Sequence, residues 1–566
     1  MVQPIPNKRL QQSLTLLLAL HILLIMLLAA VPPVCRDALT HHLAVPKLYL
    51  RHGGIYEIPG IPFSYYPMNL ELLYLLPMYF GNDIAPKYIH FGFALSTAWI
   101  VFIYLRKRTD TSHALFGALF FLTTPVVIRL SISAYVDLGL IFFSTAALLL
   151  LLHWRENRFH PKWLITSAIC CGLALGTKYN GLIVLFFLTL FVPFLYVRSG
   201  QPDMPRQLRA MGLGCLFFLT ALTIFSPWMI RNYIWTRNPV YPLYPHLFHS
   251  ASLPSTGVRP DSAPKEDGQP ADREQRKWTH FRVRKLVFNE SLMETLTIPL
   301  RIFFQGKDDD PKFFDGKLNP FLLLFPFFAF WPSRSSSGNG VHAEKRLLLA
   351  FAVLYLLFVY FQIDMRIRWI SPIIPPLVIL SVFGLKNVAD LCAARKTELT
   401  GTIGRGLLVA LAVLACGINA SYLGLQFDTV KPLAYISGDI SRADYIRRYR
   451  PEYPVIDHAN RNLRGDVKIL ALFLGNRIYY SDHEMDCNYK KFFKNLKQLN
   501  GPEELYHVLK ANRYSHVIVR FDALEQWAET ILPEKERELL ALFFQRHLKK
   551  IYARDGHGLL ELTSRQ

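Results

Sequence analysis

What the chain lacks narrows it first. Its seven cysteines form no CxxC pair. Most of them (Cys170, Cys171, Cys215, Cys392 and Cys416) fall inside apolar runs, which speaks against a zinc site or a disulfide framework. Nothing in the spacing pairs Cys35 with Cys487. Charged residues make up only 19% of the 566, and no basic stripe marks off a soluble domain. The net charge of +21 therefore does not point to nucleic acid. Asp308-Asp309-Asp310 lacks the ligand spacing of a calcium loop and reads as a solvated turn. Residues 427–566 contain neither a Gly-rich phosphate loop nor a catalytic triad. No internal repeat is visible, whereas secondary transporters are often built from paired repeats.

What is present is apolar. Hydrophobic residues make up 52% of the chain, and runs of about twenty recur, the length that crosses a bilayer core. Only helices or closed barrels satisfy their backbone groups in lipid, and these runs are too long for barrel strands. The sequence predicts a polytopic α-helical membrane protein. The runs lie near 14–31, 86–105, 112–130, 135–153, 163–177, 180–197, 208–228, 319–333, 347–363, 368–388 and 406–424, about eleven spans. Every even-numbered exit is basic: Arg106-Lys107-Arg108, then Arg155, Arg158 and Lys162, then Arg198, Arg206 and Arg209, then Arg334, Lys345 and Arg346, then Lys386, Arg395, Lys396 and Arg405. Basic loops stay cytoplasmic, so the N-terminus is expected inside and the C-terminus outside. Lys8 and Arg9 precede a first run longer than a signal-peptide core, and no A-x-A site follows, so an uncleaved anchor is expected.

The predicted division is a transmembrane module, 1–426, with outer loops 35–82 and 229–318, and a small extracytoplasmic α/β domain, 427–566. Asp37 to Leu50 is expected to form an amphipathic helix ended by Gly53-Gly54, and Met68 to Phe80 a second short one. Residues 250–276 are rich in Pro, Ser and Gly and are expected to be flexible; 277–305 reads as helical. In the last domain strands are expected at Val467–Leu474 and His516–Phe521, and helices at Pro502–Ala511 and Lys535–Leu548. That domain reads as a passive lid or an acceptor-docking piece.

The chemistry-bearing residues cluster in the outer segments. Asp37 lies just past a membrane exit. It reads as a base for an acceptor hydroxyl or a metal ligand, or else as a helix N-cap. His41 shares a helix face with Asp37 and His42 follows it, a metal pair or proton relay on one reading and interfacial histidines on the other. Tyr65-Tyr66-Pro67 is a membrane belt or a sugar-stacking surface. Glu71 sits on an otherwise apolar helix, where a charge is costly. Lys178, in the turn Gly176-Thr177-Lys178-Tyr179-Asn180-Gly181, either reaches a lipid phosphate or snorkels. Arg231 is a second anion candidate. Arg366 and Arg368 lie on the outer side, against the positive-inside rule, and call for a partner. That partner is a phosphate gripped bidentately or, alternatively, Asp364.

Several pieces carry a resemblance: Asp-Ala-Leu-x-x-His-Leu-Ala-x-Pro-Lys at 37–47, Tyr-Tyr-Pro-Met at 65–68, Gly-Thr-Lys-Tyr at 176–179, Pro-Trp-x-x-Arg-Asn at 227–232, Asn-Pro-Val-Tyr-Pro at 238–242 and Phe-Asp-Gly at 314–316. In their order and common side they resemble the bacterial GT-C glycosyltransferases, relatives of the lipid A aminoarabinose transferase and the protein O-mannosyltransferases. The resemblance implies a polyprenyl-phosphate-linked sugar donor used on the outer face of the bacterial inner membrane, with inversion at the anomeric carbon. It places the first-loop acid on Asp37 and the phosphate-binding cations on Lys178, Arg231 and Arg368; His41, His42, Tyr66, Glu71, Tyr179 and Arg366 stand beside them as further substrate-binding candidates from the reading of the residues themselves. A lipid, glycan or protein acceptor and membrane lipids are the implied partners. Arg36 stands where the related mannosyltransferases carry a second acid, which weighs against metal dependence, although Asp37 with His41 leaves a divalent metal open. Arg237 replaces an expected Gly. The competing readings are a secondary transporter and a non-catalytic subunit of an envelope glycan export system.

Overall fold

A computed structural model describes residues 8–200, 204–248, 280–331, 339–393, 398–488, 492–494, 496 and 501–564. The stretch 250–276, expected to be flexible, lies outside the described residues. The first part of the chain forms α1 (Lys8–Ala29), α2 (Ala44–His52), α3 (Asn69–Tyr79), α4 (Ala85–Arg106), α5 (Thr111–Thr123), α6 (Pro125–Ser131), α7 (Asp137–Glu156), α8 (Pro161–Thr177), α9 (Gly181–Val197) and α10 (Met204–Thr236). Short helices His280–Leu286, Leu292–Leu296 and Ile298–Arg301 occupy the segment expected to be helical. Phe321–Phe328, Asn339–Gln362, Ile374–Ala393 and Glu398–Val430 follow.

By length and apolarity, six helices among the described residues could cross a membrane, or seven if α5 and α6, bent by 65° at Thr124, make one span. Eleven spans are not recovered. The runs near 163–177, 180–197 and 319–333 form helices of only 17, 17 and 8 residues. Apolar composition fixed where helices lie but not whether each is long enough to span.

The chain divides into two compact units. The first comprises Met1–Ala29, Tyr65–Leu73 and Lys87–Lys431; the second comprises Ala30–Ser64, Tyr74–Pro86 and Pro432–Gln566. In the first, Ile374–Ala393 is buried at every position from Ile374 to Leu385, as expected of a helix apolar all round. It packs on α5, Phe321–Phe328, Asn339–Gln362 and Glu398–Val430. Beside it α7 packs on α8, and α8 and α9 on α10.

The second unit carries a five-stranded sheet, β1 (Lys468–Leu472), β2 (Glu484–Asp486), β3 (His516–Arg520), β4 (Leu548–Arg554) and β5 (His557–Leu562), in the order β2-β1-β3-β5-β4. β1 is parallel to β2 and β3, and β5 is antiparallel to β3 and β4. Alternate residues of a strand point to opposite faces. Leu470, Leu472, Val517 and Val519 meet Leu505, Leu509, Leu524 and Leu539 on one face. Ile469, Ala471 and Ile518 meet Val455, Ile456 and Ala459 on the other. Both faces are covered, which explains the unbroken apolar runs that marked β1 and β3 in the sequence.

Residues 35–64 and 74–82 of the first outer loop belong to this second unit, whereas Tyr65–Leu73 belongs to the first. The loop's helix is not uniform: a π-helical turn, Ala38–His42, leads into α2. The end falls where expected, at Gly53, whose φ of 80° is left-handed and costs glycine little.

Candidate functional site

In the first unit, a turn between α8 and α9 sets one wall of the candidate site. α8 stops at Thr177, Lys178 is extended, and its carbonyl accepts from Gly181 N–H at 2.8 Å, where α9 begins. The Lys178 ammonium lies 2.6 Å from Oδ1 of Asp137, the first residue of α7. Asp137 is fully buried. His90 supports this helix start: its Nε2 accepts from Leu138 N–H at 2.9 Å. Sequence reading passed over Asp137, although a lone carboxylate at the head of the apolar run 135–153 was the signal.

Glu71 lies near the same charges. Burial pushes its carboxyl up to about 8, against the pull of Lys178 and Arg231, with Asp137 adding to the rise. Glu71 is therefore largely protonated at neutral pH, which removes the cost of a bare charge on an apolar helix. Arg231, from α10, is stacked between the rings of Trp228 and Trp235 at 4.5 and 4.9 Å. Its NH2 group donates to the carbonyls of Tyr65 and Tyr66 at 2.7 and 3.0 Å. Asn232 donates to Tyr65 O and Tyr241 O, and the Tyr179 hydroxyl donates to Tyr241 O at 2.8 Å. The Tyr66 and Tyr179 rings meet edge to face at 5.2 Å. Arg368 lies over the Tyr135 ring at 4.9 Å and acts electrostatically, with Lys178, on Asp137. Tyr66, Glu71, Lys178, Tyr179, Arg231 and Arg368 thus gather around Asp137 in one unit, with three cations and two carboxyl groups, one of them neutral.

Packing explains the Gly-Thr-Lys-Tyr motif. A Cβ at Gly176 would stand 2.2 Å from Asn69 Nδ2. Asn69 Oδ1 accepts from Trp228 Nε1 at 2.8 Å, so the bare glycine lets α8 approach the residue that holds the Arg231 sandwich.

Arg366 is turned elsewhere. It pairs with Asp364 at 3.3 Å, the ion pair weighed from sequence, and with Asp315 at 3.7 Å. Asp315 and Asp308 also bind Arg129, at 3.3 and 3.0 Å, with Asp309 at 2.6 Å. Tyr422 donates to Asp308 at 2.6 Å. The Asp308-Asp309-Asp310 stretch is therefore not a merely solvated turn. Asp308 and Asp309, with Asp315, are drawn together by Arg129, a cation at the end of the broken α5–α6 pair. The Phe-Asp-Gly motif lies in the same network: Phe314 is buried and flanked by Arg284 and Arg301.

Asp37, His41 and His42 lie in the second unit. Asp37 stands at the N-cap position of the π-helical turn, yet its side chain makes no capping hydrogen bond. His41 Nδ1 is 2.9 Å from Thr40 Oγ1, and its ring stacks on Phe63 at 4.4 Å. The His42 ring lies 4.0 Å from that of His41. Among the described residues no group of three or more His, Cys, Asp and Glu side chains is placed to hold a metal ion.

A family model described as dolichyl-phosphate-mannose-protein mannosyltransferase matches residues 80–230, which include Asp137, Lys178 and Tyr179. No curated protein sequence gives a significant match. Among solved structures, apo ArnT from Cupriavidus metallidurans superposes with a TM-score of 0.58 at 14% identity, covering 97% of this chain and 98% of ArnT. ArnT from the same organism bound to undecaprenyl phosphate gives 0.57, with the same identity and coverage. Residues 80–230, from α4 into α10, thus match the mannosyltransferase family model, and almost the whole chain shares the fold of ArnT.

Proposed function

We propose that the chain transfers a sugar from a polyprenyl-phosphate donor to an acceptor hydroxyl on the outer face of the membrane, with inversion. The observation that carries this reading is the gathering of Lys178, Arg231 and Arg368 around Asp137 and a neutral Glu71. Such a cluster suits a phosphodiester whose charge rises as it leaves. Fixed cations stabilise that developing charge without reorganising, and the protonated Glu71 adds no repulsion. The undecaprenyl phosphate in the ArnT complex supports the same class of donor.

In the proposed step the acceptor O–H proton passes to the Asp37 carboxylate. The oxygen attacks the anomeric carbon, the C1–O bond to phosphate breaks, and its electron pair leaves on the phosphate. A single displacement inverts the centre. Tyr66 is the ring set against the sugar, and Tyr179 packs edge to face behind it. The C-terminal part of the chain stands outside the membrane in this arrangement.

The test is mass spectrometry of envelope glycolipids and glycoproteins from a deletion strain complemented with wild type, Asp37→Asn or Lys178→Met at equal membrane levels. Wild type is expected to restore a glycan species that neither variant restores beyond about 1% of the wild-type rate, the scale of losing a general base. Equal restoration by Asp37→Asn would show that Asp37 only starts a helix, and the base assignment would fail.

A further inference from the structure

The loop that follows β1, residues 473–483, leaves the C-terminal end of a central parallel strand, the end at which open α/β sheets place their working loops. It contacts the Asp37 segment on both sides. The Tyr480 hydroxyl donates to the carbonyl of Pro33, four residues before Asp37, at 2.7 Å. The Tyr479 N–H donates to the carbonyl of Leu39, two residues after it, at 3.1 Å. The π-helical turn makes this second bond available. Leu43 N–H reaches back five residues to Ala38 at 2.9 Å, and the Leu39 carbonyl accepts from Tyr479. Single π turns of this kind collect at functional sites.

The next turn of helix is held by the same loop. Lys47 Nζ donates to Tyr479 O, Ser481 O and Asp482 Oδ1 at 2.8, 2.9 and 3.0 Å. Arg51 donates to Asp482 Oδ1 at 2.6 Å. Behind the loop, Asp83 accepts from Tyr479 OH at 3.2 Å and from Arg442 at 2.5 Å. Asn460 brackets it, donating to Tyr480 O and accepting from Asp482 N–H, both at 2.8 Å. A passive lid needs none of these bonds to the backbone around one acid.

We propose that Tyr479, Tyr480 and Asp482 are positioning residues that set where the Asp37 carboxylate stands, through backbone bonds to Pro33 and Leu39 and the Lys47–Arg51 clamp. The proposal rests on the reading of Asp37 as the base. It gives the C-terminal domain a part in turnover and none in holding the donor.

The test uses the full-length protein in detergent. The donor probe is the polyprenyl-phosphate-sugar fraction extracted from host membranes, titrated over a range, with product followed by mass. Tyr480→Phe keeps the ring and removes one hydrogen bond. Asp482→Asn removes the charge that Lys47 and Arg51 hold, and Asp482→Glu returns it. The expected result is a fall in kcat of about 10- to 100-fold for the first two with donor KM unchanged, and recovery of most of it in Asp482→Glu. In an Asp37→Asn background, Tyr480→Phe is expected to remove nothing further. Wild-type kcat in Tyr480→Phe and Asp482→Asn overturns the proposal, whether or not the melting temperature falls. A raised KM at unchanged kcat overturns it as well. Where Asp482→Asn fails to accumulate, Tyr480→Phe decides. Full turnover by Asp37→Asn alone is a separate outcome: it removes the base reading and the positioning role with it, while the loop residues are untouched.

Discussion

The Lys178 ammonium stands 2.6 Å from an Asp137 carboxylate that is fully buried, whereas the Lys178 side chain keeps 17% of its exposure. The two partners are therefore not equivalent. Removing Lys178 strands a buried charge, and removing the charge of Asp137 strands a cation that still reaches solvent. Among the described residues Asp137 Oδ2 accepts no hydrogen bond, so Lys178 is its chief compensation. Lys178→Met is expected to cost about 3–5 kcal/mol and Asp137→Asn about 1–3 kcal/mol, read by thermal unfolding in detergent. The double variant Lys178→Met/Asp137→Leu is expected to be more stable than Lys178→Met alone. Additive losses would show that the pair is not coupled.

Glu71 makes stability depend on pH in a direction opposite to that of an ordinary paired carboxylate. Its unfolded carboxyl ionises near the ordinary value of 4.5, and the folded one keeps its proton to about 8, chiefly because it is buried. Between these values the folded state holds one more proton, so stability falls as pH rises. Below the window both states are protonated, and above it both are ionised, so the curve is flat at either end. Melting temperature measured from pH 4 to 9 is expected to fall across the window in wild type relative to Glu71→Gln. A difference that stays flat would mean that Glu71 is ionised in the folded protein at neutral pH.

Much of this was legible in the chain because local rules and tertiary packing agree there. Gly53 ended the first-loop helix where its left-handed φ is needed, and Pro502–Ala511 is a helix with the bounds its pattern gave. Where they conflict, the sequence misled. Asp137 was hidden because a carboxylate at the head of a long, mostly apolar run looks like a span boundary, and only the fold brings Lys178 to it from 41 positions away. Arg129 was hidden in the same way, its acids lying some 180 residues on. The β4–β5 hairpin was missed although Asp555-Gly556 is a strong hairpin signal, because the helical pattern of 534–547 ran straight into it. The sequence marks the Asp37 loop as a candidate for chemistry, but nothing in its own residues foretells that a segment more than 430 positions later holds it.

Gly176 is expected to tolerate no side chain. An added methyl meets Asn69 Nδ2 at 2.2 Å and moves the amide that accepts from Trp228. The Trp228 ring is one face of the Arg231 sandwich, so the disturbance passes from α8 to the candidate phosphate ligand. Gly176→Ala is expected to lower stability by about 1–3 kcal/mol and to raise the donor KM more than it lowers kcat. Truncating the obstacle in Gly176→Ala/Asn69→Ala is expected to recover stability but not the KM, because the Trp228 bond stays lost. A Gly176→Ala enzyme with wild-type KM would separate the glycine from the site.

Arg129 bridges three carboxylates with two nitrogen atoms, and its replacement is expected to loosen the whole turn from Lys307 to Gly316. That turn closes on itself through Gly316 N–H to Lys307 O at 3.0 Å and Lys307 N–H to Phe313 O at 2.9 Å. Without Arg129, Asp308, Asp309 and Asp315 repel one another across it. The Arg129 side chain is 19% exposed, so the loss lies between the surface and the buried cases, about 2 kcal/mol for Arg129→Ala. Arg129→Lys is expected to restore only part, because one ammonium does not reproduce a guanidinium fork shared by three acids. Asp309→Asn is the control: that side chain is 88% exposed, and its removal is expected to change stability by less than about 1 kcal/mol. Thermal unfolding at low and high salt separates the cases, since a partly buried network is screened less than a surface pair. If Arg129→Ala behaves like Asp309→Asn at both salt concentrations, the cluster is a surface ornament and the turn is held by its backbone bonds alone.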